Sequence, residues 1–283
     1  MFDTACSICI LGIYMFEDSS KKLISIVTVC FNSSKTIRRT IESVLNQTCA
    51  DKVEYILIDG NSTDNTVDII KEYMFQFAQR GISYRWISEP DQGIYDAMNK
   101  GIKMATGQYI NFQGSDDWLE ASAVEVASNL IKINHYGTGV FCFAAKLMYG
   151  ENYTVLYPKV NNLLRYRMIG NHQAIFVSID LMGDLFSLQY KIASDFDFIM
   201  KCYLNKVKFY CSNSVIACYS VGGASSGLSF YDEYSRICCE YWPNKIKRIQ
   251  LFFILMKVKS YCVQIFIKLF GKSFVTYLKL KIS

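Results

Sequence analysis

The chain has 283 residues, of which 51% are hydrophobic and 15% aromatic, enough to bury one large or two modest cores. Its net charge of +5 is unevenly spread, because residues 241–283 carry nine Lys or Arg and no acidic residue. The first 240 residues carry 21 basic against 25 acidic side chains, so the composition excludes a general nucleic-acid binder.

Eleven cysteines are scattered without the paired spacing of a zinc site, which favours reduced thiols in a cytosolic chain. Residues 1–22 form an N-terminal extension whose apolar middle, residues 5–16, has no basic segment before it. It is a poor signal peptide and too short to span a bilayer. A packing extension, a weak membrane contact and a misassigned start all stay open for it.

Strand and helix patterns alternate from residue 23 to residue 117. Apolar runs over residues 23–31, 53–58 and 82–87 predict three buried strands, and a fourth run leads into Asp116 and Asp117. Apolar residues recur at helical spacing between these strands. Their predicted helix faces are Ile37, Ile41, Val44 and Leu45; Val67, Ile70, Met74 and Phe77; and Ile94, Met98, Ile102 and Ala105. This order predicts an α/β fold, a mostly parallel sheet with flanking helices.

Residues 120–240 are less regular and predict a mixed or antiparallel extension of the sheet with further helices. Such an extension would supply the acceptor half of a two-substrate site.

Polar residues follow each predicted strand, where parallel sheets bind their ligands. They are Asn32, Asp59, Glu89, Asp91, Asp116 and Asp117. This convergence fits a phosphate-and-sugar site better than scattered solvated loops do. The sequence contains no GxGxxG and no GxxxxGK[ST] motif, so neither a dehydrogenase-type dinucleotide site nor a P-loop is supported.

Asp116 and Asp117 are adjacent carboxylates at the end of an apolar run. Their mutual repulsion is relieved by a cation, and Mg²⁺ commonly binds one or two carboxylates together with substrate phosphates. The pair also fits a strand-end turn in which an Asp caps the following helix. Taken alone, it leaves both interpretations open.

Several motifs then match a known family in order: residues 24–32, 40–48 and 55–66 resemble the opening of family 2 glycosyltransferases, and residues 89–107 and 114–118 continue the match. The match is strong over about the first 100 residues of the domain and looser to about residue 226. The resemblance implies a GT-A fold, a nucleotide-diphospho-sugar donor with UDP favoured, a divalent metal (Mg²⁺ or Mn²⁺) and inversion at the anomeric carbon.

The resemblance and the charge pattern together divide the chain into three regions after the extension. Residues 23–118 form the nucleotide-sugar-binding half of a GT-A domain, residues 119–240 form its acceptor half, and residues 241–283 form a tail.

The resemblance also implies which residues hold the nucleotide sugar. They are Thr28 and Asn32 in the nucleotide pocket, Asp59 on the base or ribose, Asp91 beside the donor and Asp116 on the ribose or sugar. Ser115 stands where the family often has the first Asp of its Asp-x-Asp motif, so the metal assignment rests on Asp117.

Residues 193–198 resemble the later acidic motif that supplies the family's general base. Asp195 is favoured for this role over Asp197. A carboxylate is needed because the acceptor hydroxyl is a weak nucleophile whose proton must be removed as it attacks. Both residues also fit the first turn of a helix, where Asp is common without any catalytic role.

Further candidates are weaker. His172 and Gln173 match an Asn/Cys-His-Gln pattern in related enzymes and are assigned to acceptor contact, although a lone His is often structural. Gly222 and Gly223 predict a loop closing over the diphosphate, which an ordinary turn explains almost as well. The aromatic candidates for stacking on base or sugar are Tyr95 and Trp118, of which Tyr95 fits the core better.

The tail mixes basic and apolar residues, and its longest uncharged stretch, Ile249–Met256, is too short to span a bilayer. A basic amphipathic helix lying in the membrane interface is the favoured interpretation, since each Lys or Arg near anionic lipid contributes about 1 kcal/mol. A helix packed on its own domain or on a dimer partner is the alternative. The favoured location is cytoplasmic, peripheral on the inner face of the cell membrane.

These features favour an inverting glycosyltransferase that moves a sugar from a nucleotide-diphospho-sugar to a hydroxyl of a lipid-linked or glycan acceptor in bacterial surface polysaccharide synthesis. A nucleotidyltransferase would want a glycine-rich basic loop after the first strand, and residues 30–34 do not provide one. A non-catalytic nucleotide-sugar or membrane-binding module remains the alternative.

Overall fold

The computed structural model describes residues 22–160, 166–222 and 227–270. The predictions made for residues 1–21, for Gly223 and for residues 271–283 lie outside this part of the chain.

Four parallel strands form one half of the sheet, in the spatial order β3-β2-β1-β4. They are β1 (Ile24–Cys30), β2 (Val53–Asp59), β3 (Ser83–Ser88) and β4 (Tyr109–Gly114). The helices between them are α1 (Ile37–Leu45), α2 (Thr66–Glu72), α3 (Met74–Gln79) and α4 (Ile94–Met104). Every residue of β1 and β2 is buried, as expected for parallel strands covered on both faces. The predicted alternation of strand and helix is confirmed.

The second predicted helix is two helices, because the ladder breaks at Tyr73. The N–H of Tyr73 bonds the Ile70 carbonyl three residues back, which tightens the turn. The break places Tyr73 and Phe77 together in the core.

The second half of the sheet is mixed, as predicted. Its elements are β5 (Trp118–Leu119), α5 (Ala123–Ile133), β6 (Val140–Tyr149), β7 (Asn152–Leu156), β8 (Ile175–Ser178), α6 (Ser194–Leu204) and β9 (Phe209–Ser220). Strand β8 pairs antiparallel with both β4 and β6, and β9 runs parallel to β6. Strand β5 is the last strand of the sheet and pairs with β9. The last residues of β9 therefore lie next to the turn that follows β4, where the N–H of Ser220 bonds Asp117.

Two helices complete the described chain: α7 (Phe230–Tyr241) and α8 (Ile246–Phe270). Ile249 and Phe253 of α8 are buried against Ile237 and Cys238 of α7. No helix in the described ranges has the length and apolarity needed to cross a membrane.

The predicted tail helix is present, but its outward face is not the polar face of a simple amphipathic helix. Side chains on this outward face are large, apolar and exposed: Leu251, Ile254, Leu255, Val258, Tyr261, Ile265 and Leu269. The helix therefore has two apolar faces, one packed on the domain and one turned to solvent. We call the seven residues the outer stripe of α8.

Gly101 sets how closely α4 approaches β1, since a Cβ at this position would overlap the Val27 side chain. Val27 is β-branched and buried, so it has little freedom to move away. We expect Gly101→Ala to lower the free energy of unfolding by about 1–3 kcal/mol, the usual cost of overpacking. Gly183→Ala is the matched control in urea unfolding, because its Cβ meets no atom within 4 Å and its φ of −57° suits any residue. Equal midpoints for the two variants would contradict this account.

Candidate active site

A cleft of about 1140 Å³ opens beyond the carboxyl ends of β1 and β4. Six of the polar side chains that line it are Asn32, Asp91, Asp116, Asp117, His172 and Asp195. Of the six polar residues predicted to meet at this edge of the sheet, Asp59 and Glu89 do not line the cleft, whereas four do: Asn32, Asp91, Asp116 and Asp117.

Asn32 begins the loop after β1 in the left-handed region, at φ 49°. Its side-chain oxygen accepts the N–H of Thr63 at 2.9 Å, and its own N–H donates to the Ser62 hydroxyl at 2.7 Å. These bonds join the loops that follow β1 and β2. An Asn tolerates this backbone better than most residues.

Asp59 ends β2 but is fully buried and is not among the residues that line the cleft. Its carboxylate accepts the N–H and hydroxyl of Ser62 and the hydroxyl of Ser88. It therefore organises the loop behind Asn32. Its predicted direct contact with base or ribose does not agree with this placement.

Thr28 is also placed differently from the prediction. It lies inside β1, is fully buried, and its hydroxyl accepts the hydroxyl of Tyr55 at 3.0 Å. The prediction that Thr28 lines the nucleotide pocket does not agree with this placement, because its side chain turns into the core.

Asp91 lies in the loop before α4 and lines the cleft, as predicted. One carboxylate oxygen accepts the N–H of Gly93 at 2.8 Å. Asp64 lines the same wall. Hydrogen bonds from Thr66, with others from Ser34, hold the pKa of Asp64 well below its usual range.

Asp117 is the most buried carboxylate of the cleft, at 1% exposure. Its oxygens accept the side-chain N–H of Gln173 at 2.7 Å and the backbone N–H of Ser220 at 2.8 Å. Burial, with a further contribution from Asp116, raises the pKa of Asp117 to about 7. Burial also raises the pKa of Asp116, which Arg39 partly offsets. The site thus holds negative charge at an electrostatic cost that a cation would remove.

Ser115 occupies the motif position where an Asp is common in the family. Its hydroxyl lies 2.7 Å from the hydroxyl of Ser33, which ties the loop after β1 to the turn after β4. The substitution therefore exchanges a charge for a neutral link between two loops of the cleft.

Residues 171–173 connect the two acidic parts of the cleft. Gln173 donates to Asp117, and the ring nitrogen Nδ1 of His172 lies 3.0 Å from Oδ2 of Asp195. The Gln173 carbonyl accepts side-chain N–H groups from Asn111 and Gln113 of β4. The sheet thus fixes this segment in place.

Asp195, in the first turn of α6, lines the cleft. Its second oxygen, Oδ1, is 2.9 Å from the Tyr95 hydroxyl and 2.8 Å from the Phe196 N–H. Burial acts to raise the pKa of Asp195, but hydrogen bonds from His172 and Tyr95 outweigh it, and the net shift is downward. Asp195 is therefore charged at neutral pH.

Asp197 faces away from the cleft. Its carboxylate accepts the hydroxyl of Tyr241 at 2.7 Å and pairs with Lys201 at 3.0 Å. It joins α6 to α7, and its assignment as a catalytic residue does not agree with this placement. Gly222 follows β9 at φ 132°, a backbone that favours glycine, but it is not among the residues that line the cleft.

The sequence prediction missed three contributors. The guanidinium of Arg39 lies 3.6 Å from the ring centroid of Trp118 and donates to the Asp116 carbonyl at 2.8 Å. Ser220 holds Asp117, and the amide oxygen of Asn171 is buried beside the cleft with no partner in the described chain. No local motif marks Arg39 or Ser220, whereas Asn171 was visible as the neighbour of His172.

The residues present fit a divalent cation that takes most of its ligands from the substrate. Among the described residues, no three His, Cys, Asp or Glu side chains converge as a complete metal cage. Asp117, with Asp116 beside it, provides the carboxylate oxygen that Mg²⁺ and Mn²⁺ prefer, and a nucleotide diphosphate with water would complete the shell.

Comparisons with known proteins identify the family of the chain. The model of glycosyl transferase family 2 matches residues 25–188. A glycosyltransferase of PGL/p-HBAD biosynthesis from Mycobacterium bovis is 31% identical over 244 residues, covering 80% of this chain and 93% of the relative.

Solved structures share the fold. Staphylococcus aureus TarS 1–349 in complex with UDP-GlcNAc superposes with a TM-score of 0.62 at 22% identity, over 77% of this chain and 65% of that one. This chain spans 39% of a longer TarS structure. A Pyrobaculum calidifontis mannosyltransferase in complex with GDP-Man and Mn²⁺ gives 0.60 at 12% identity, over 93% of this chain and 80% of that one. The chain therefore belongs to glycosyl transferase family 2, a family of transferase enzymes, and has the GT-A fold.

Proposed function

We propose that this protein is an inverting glycosyltransferase that moves a sugar from a UDP-sugar to a hydroxyl of a lipid-linked or glycan acceptor in bacterial surface polysaccharide synthesis. The observation that carries the proposal is the cleft itself, in which the buried Asp117 and the Asp195–His172 pair are joined through residues 171–173. UDP is favoured over GDP because TarS, at 22% identity, binds UDP-GlcNAc.

Each part of the cleft has a role in such a transfer. Asp117, with Asp116 beside it, would hold the divalent cation (Mg²⁺ or Mn²⁺), which offsets charge on the departing diphosphate. Asn32 and Asp91 would contact the nucleotide, and Asn171 would bond a substrate hydroxyl through its unpartnered oxygen. The Asp195–His172 pair would receive the acceptor proton as the hydroxyl attacks the anomeric carbon from the face opposite the leaving group.

We also propose that α8 lies on the anionic inner face of the cell membrane, with its outer stripe in the interface. The exposed basic side chains Lys247, Arg248 and Lys259 accompany the stripe. Residues 241–283 include no acidic residue, so no negative charge in this segment offsets the attraction of its basic side chains to anionic lipid. This location suits an acceptor carried on a lipid diphosphate.

The test is donor binding followed by transfer. With Mn²⁺ or Mg²⁺ present, saturating UDP should raise the melting temperature by roughly 5–10 °C, the effect of a ligand at about 100 times its Kd on a protein of this size. Chelation by EDTA should remove most of the shift. Incubation with UDP-sugars and lipid-diphosphate acceptors should then yield glycosylated lipid, detected by mass spectrometry.

Two outcomes would decide against this proposal. No shift with any nucleoside diphosphate would exclude a nucleotide-sugar enzyme. Binding without transfer or donor hydrolysis, across donors and acceptors, would favour the non-catalytic binding module.

A further inference from the structure

Both carboxylate oxygens of Asp195 have hydrogen-bond donors, whereas the ring of His172 has one nitrogen with no partner in the described chain. Three donors surround the Asp195 carboxylate: the Tyr95 hydroxyl, the Phe196 N–H and the ring of His172. Because this carboxylate is charged, it can only accept, so Nδ1 of His172 must carry the proton. The lone pair of the imidazole then lies on Nε2.

The ring is held in a defined orientation. Phe112 and Phe186 pack edge-on against it, with centroids at 5.5 Å and 6.1 Å. Within the described ranges, no side chain or backbone group forms a hydrogen bond to Nε2. His172 lines the cleft and is 18% exposed.

We propose that His172 is the catalytic base of the transfer and that Asp195 is a positioning residue that orients the ring. This inference rests on the proposed function. The acceptor O–H bond breaks and its proton moves to Nε2, while the oxygen forms a bond to the anomeric carbon. The bond from that carbon to the phosphate oxygen breaks, and its electron pair leaves with the nucleoside diphosphate. The resulting imidazolium is paired with the Asp195 carboxylate and returns its proton to water.

Few other groups near the pair can titrate between pH 5 and 9. Tyr95 from α4 touches Asp195, and Tyr234 from α7 lies close to it. Burial raises the pKa of both tyrosines well above the usual value. An enzyme with an imidazole base loses activity as the pH falls through the neutral range, and we call this loss the acid limb of the pH profile. An enzyme whose base is a carboxylate surrounded by donors keeps its activity to much lower pH.

His172→Gln is the central test, read as kcat/KM against pH at saturating Mn²⁺. We expect wild type to lose activity on the acid side of its pH profile, as the base becomes protonated. The variant should lose roughly 10²–10³ in kcat/KM, the usual contribution of a general base, and should lack this limb. The UDP-induced rise in melting temperature should persist, which shows that the variant folds and binds donor.

His135→Asn is the matched control, because His135 is the second of the two histidines of the sequence. It is exposed after α5 at φ 56°, a conformation that Asn tolerates. We expect the rate and pH profile of wild type.

Asp195→Asn separates the two candidate bases. If His172 is the base, this variant retains part of the rate and its acid limb moves to lower pH, because the imidazolium has lost its charged partner. Abolished transfer in Asp195→Asn, together with an unchanged acid limb in His172→Gln, would overturn the inference and restore Asp195 as the base. An acid limb that persists in His172→Gln would belong to another group, such as Asp117, and would also overturn it. Wild type that binds UDP but transfers no sugar would instead overturn the proposed function.

Discussion

Asp117→Asn is expected to reduce sugar transfer about a thousandfold, the largest effect of any single substitution in the cleft. The change removes the charge proposed to hold the cation, and losing electrostatic stabilisation of this kind costs about 3–4 kcal/mol in the transition state. The fold should survive. Oδ1 of the new Asn can still accept the Ser220 N–H, and its amide can donate to Gln173 once the Gln173 amide turns over.

The measurement is kcat/KM for a UDP-sugar at saturating Mn²⁺, alongside urea unfolding. Asp180→Asn is the matched control, because Asp180 is exposed and does not line the cleft. Activity above a tenth of wild type in Asp117→Asn, with an unchanged unfolding midpoint, would show that Asp117 does not hold the cation.

The second large effect concerns the outer stripe of α8. The combined variant Ile254→Gln, Leu255→Gln and Val258→Gln is expected to weaken binding to anionic vesicles about a hundredfold. These side chains are 58%, 60% and 55% exposed, so part of each is already buried in the free protein. Replacing each one removes about 1 kcal/mol of the free energy of membrane binding, or about 3 kcal/mol together. The domain should remain folded, because the substituted side chains face solvent.

Vesicle flotation with phosphatidylserine-containing and neutral lipid would measure the effect. The control is the combined variant Met74→Gln, Phe75→Gln and Ile133→Gln, which removes equally exposed apolar residues from other helices. Wild type should prefer the anionic vesicles, and added salt should weaken that preference. Flotation unaffected by the stripe substitutions would contradict the membrane proposal. A wild-type dimer that they convert to monomer, with no vesicle binding, would identify the stripe as an interface between copies of the chain.

The order of strands and helices could be predicted from the sequence because it depends on local apolar periodicity. The direction of side chains inside buried parallel strands could not be predicted. Both faces of such a strand are apolar, so alternation along the sequence does not show which residues face which layer of helices. Thr28 is an example, because only its hydrogen bond with Tyr55 of the neighbouring strand shows that its hydroxyl turns into the core.

The acidic residues of the cleft divide in a similar way. Asp195 and Asp197 are two positions apart on a helix, so their side chains point about 200° apart and only one can face the cleft. The sequence favoured Asp195 as the base, and of the two residues it is Asp195 that lines the cleft. Arg39 could not be found, because its contact with the Asp116 carbonyl joins residues 77 positions apart and leaves no local pattern.

The neutral link between Ser115 and Ser33 has a consequence for the order of events in a catalytic cycle. A free ion that reaches the cleft meets Asp116 and Asp117, but Asp117 already accepts hydrogen bonds from Gln173 and Ser220. The first position of the motif offers only the neutral Ser115. Under the proposed function, most of its ligands would then come from the nucleotide. Ion and donor would enter as one complex and leave as one complex with the spent diphosphate, so initial rates would follow the concentration of that complex rather than of either component.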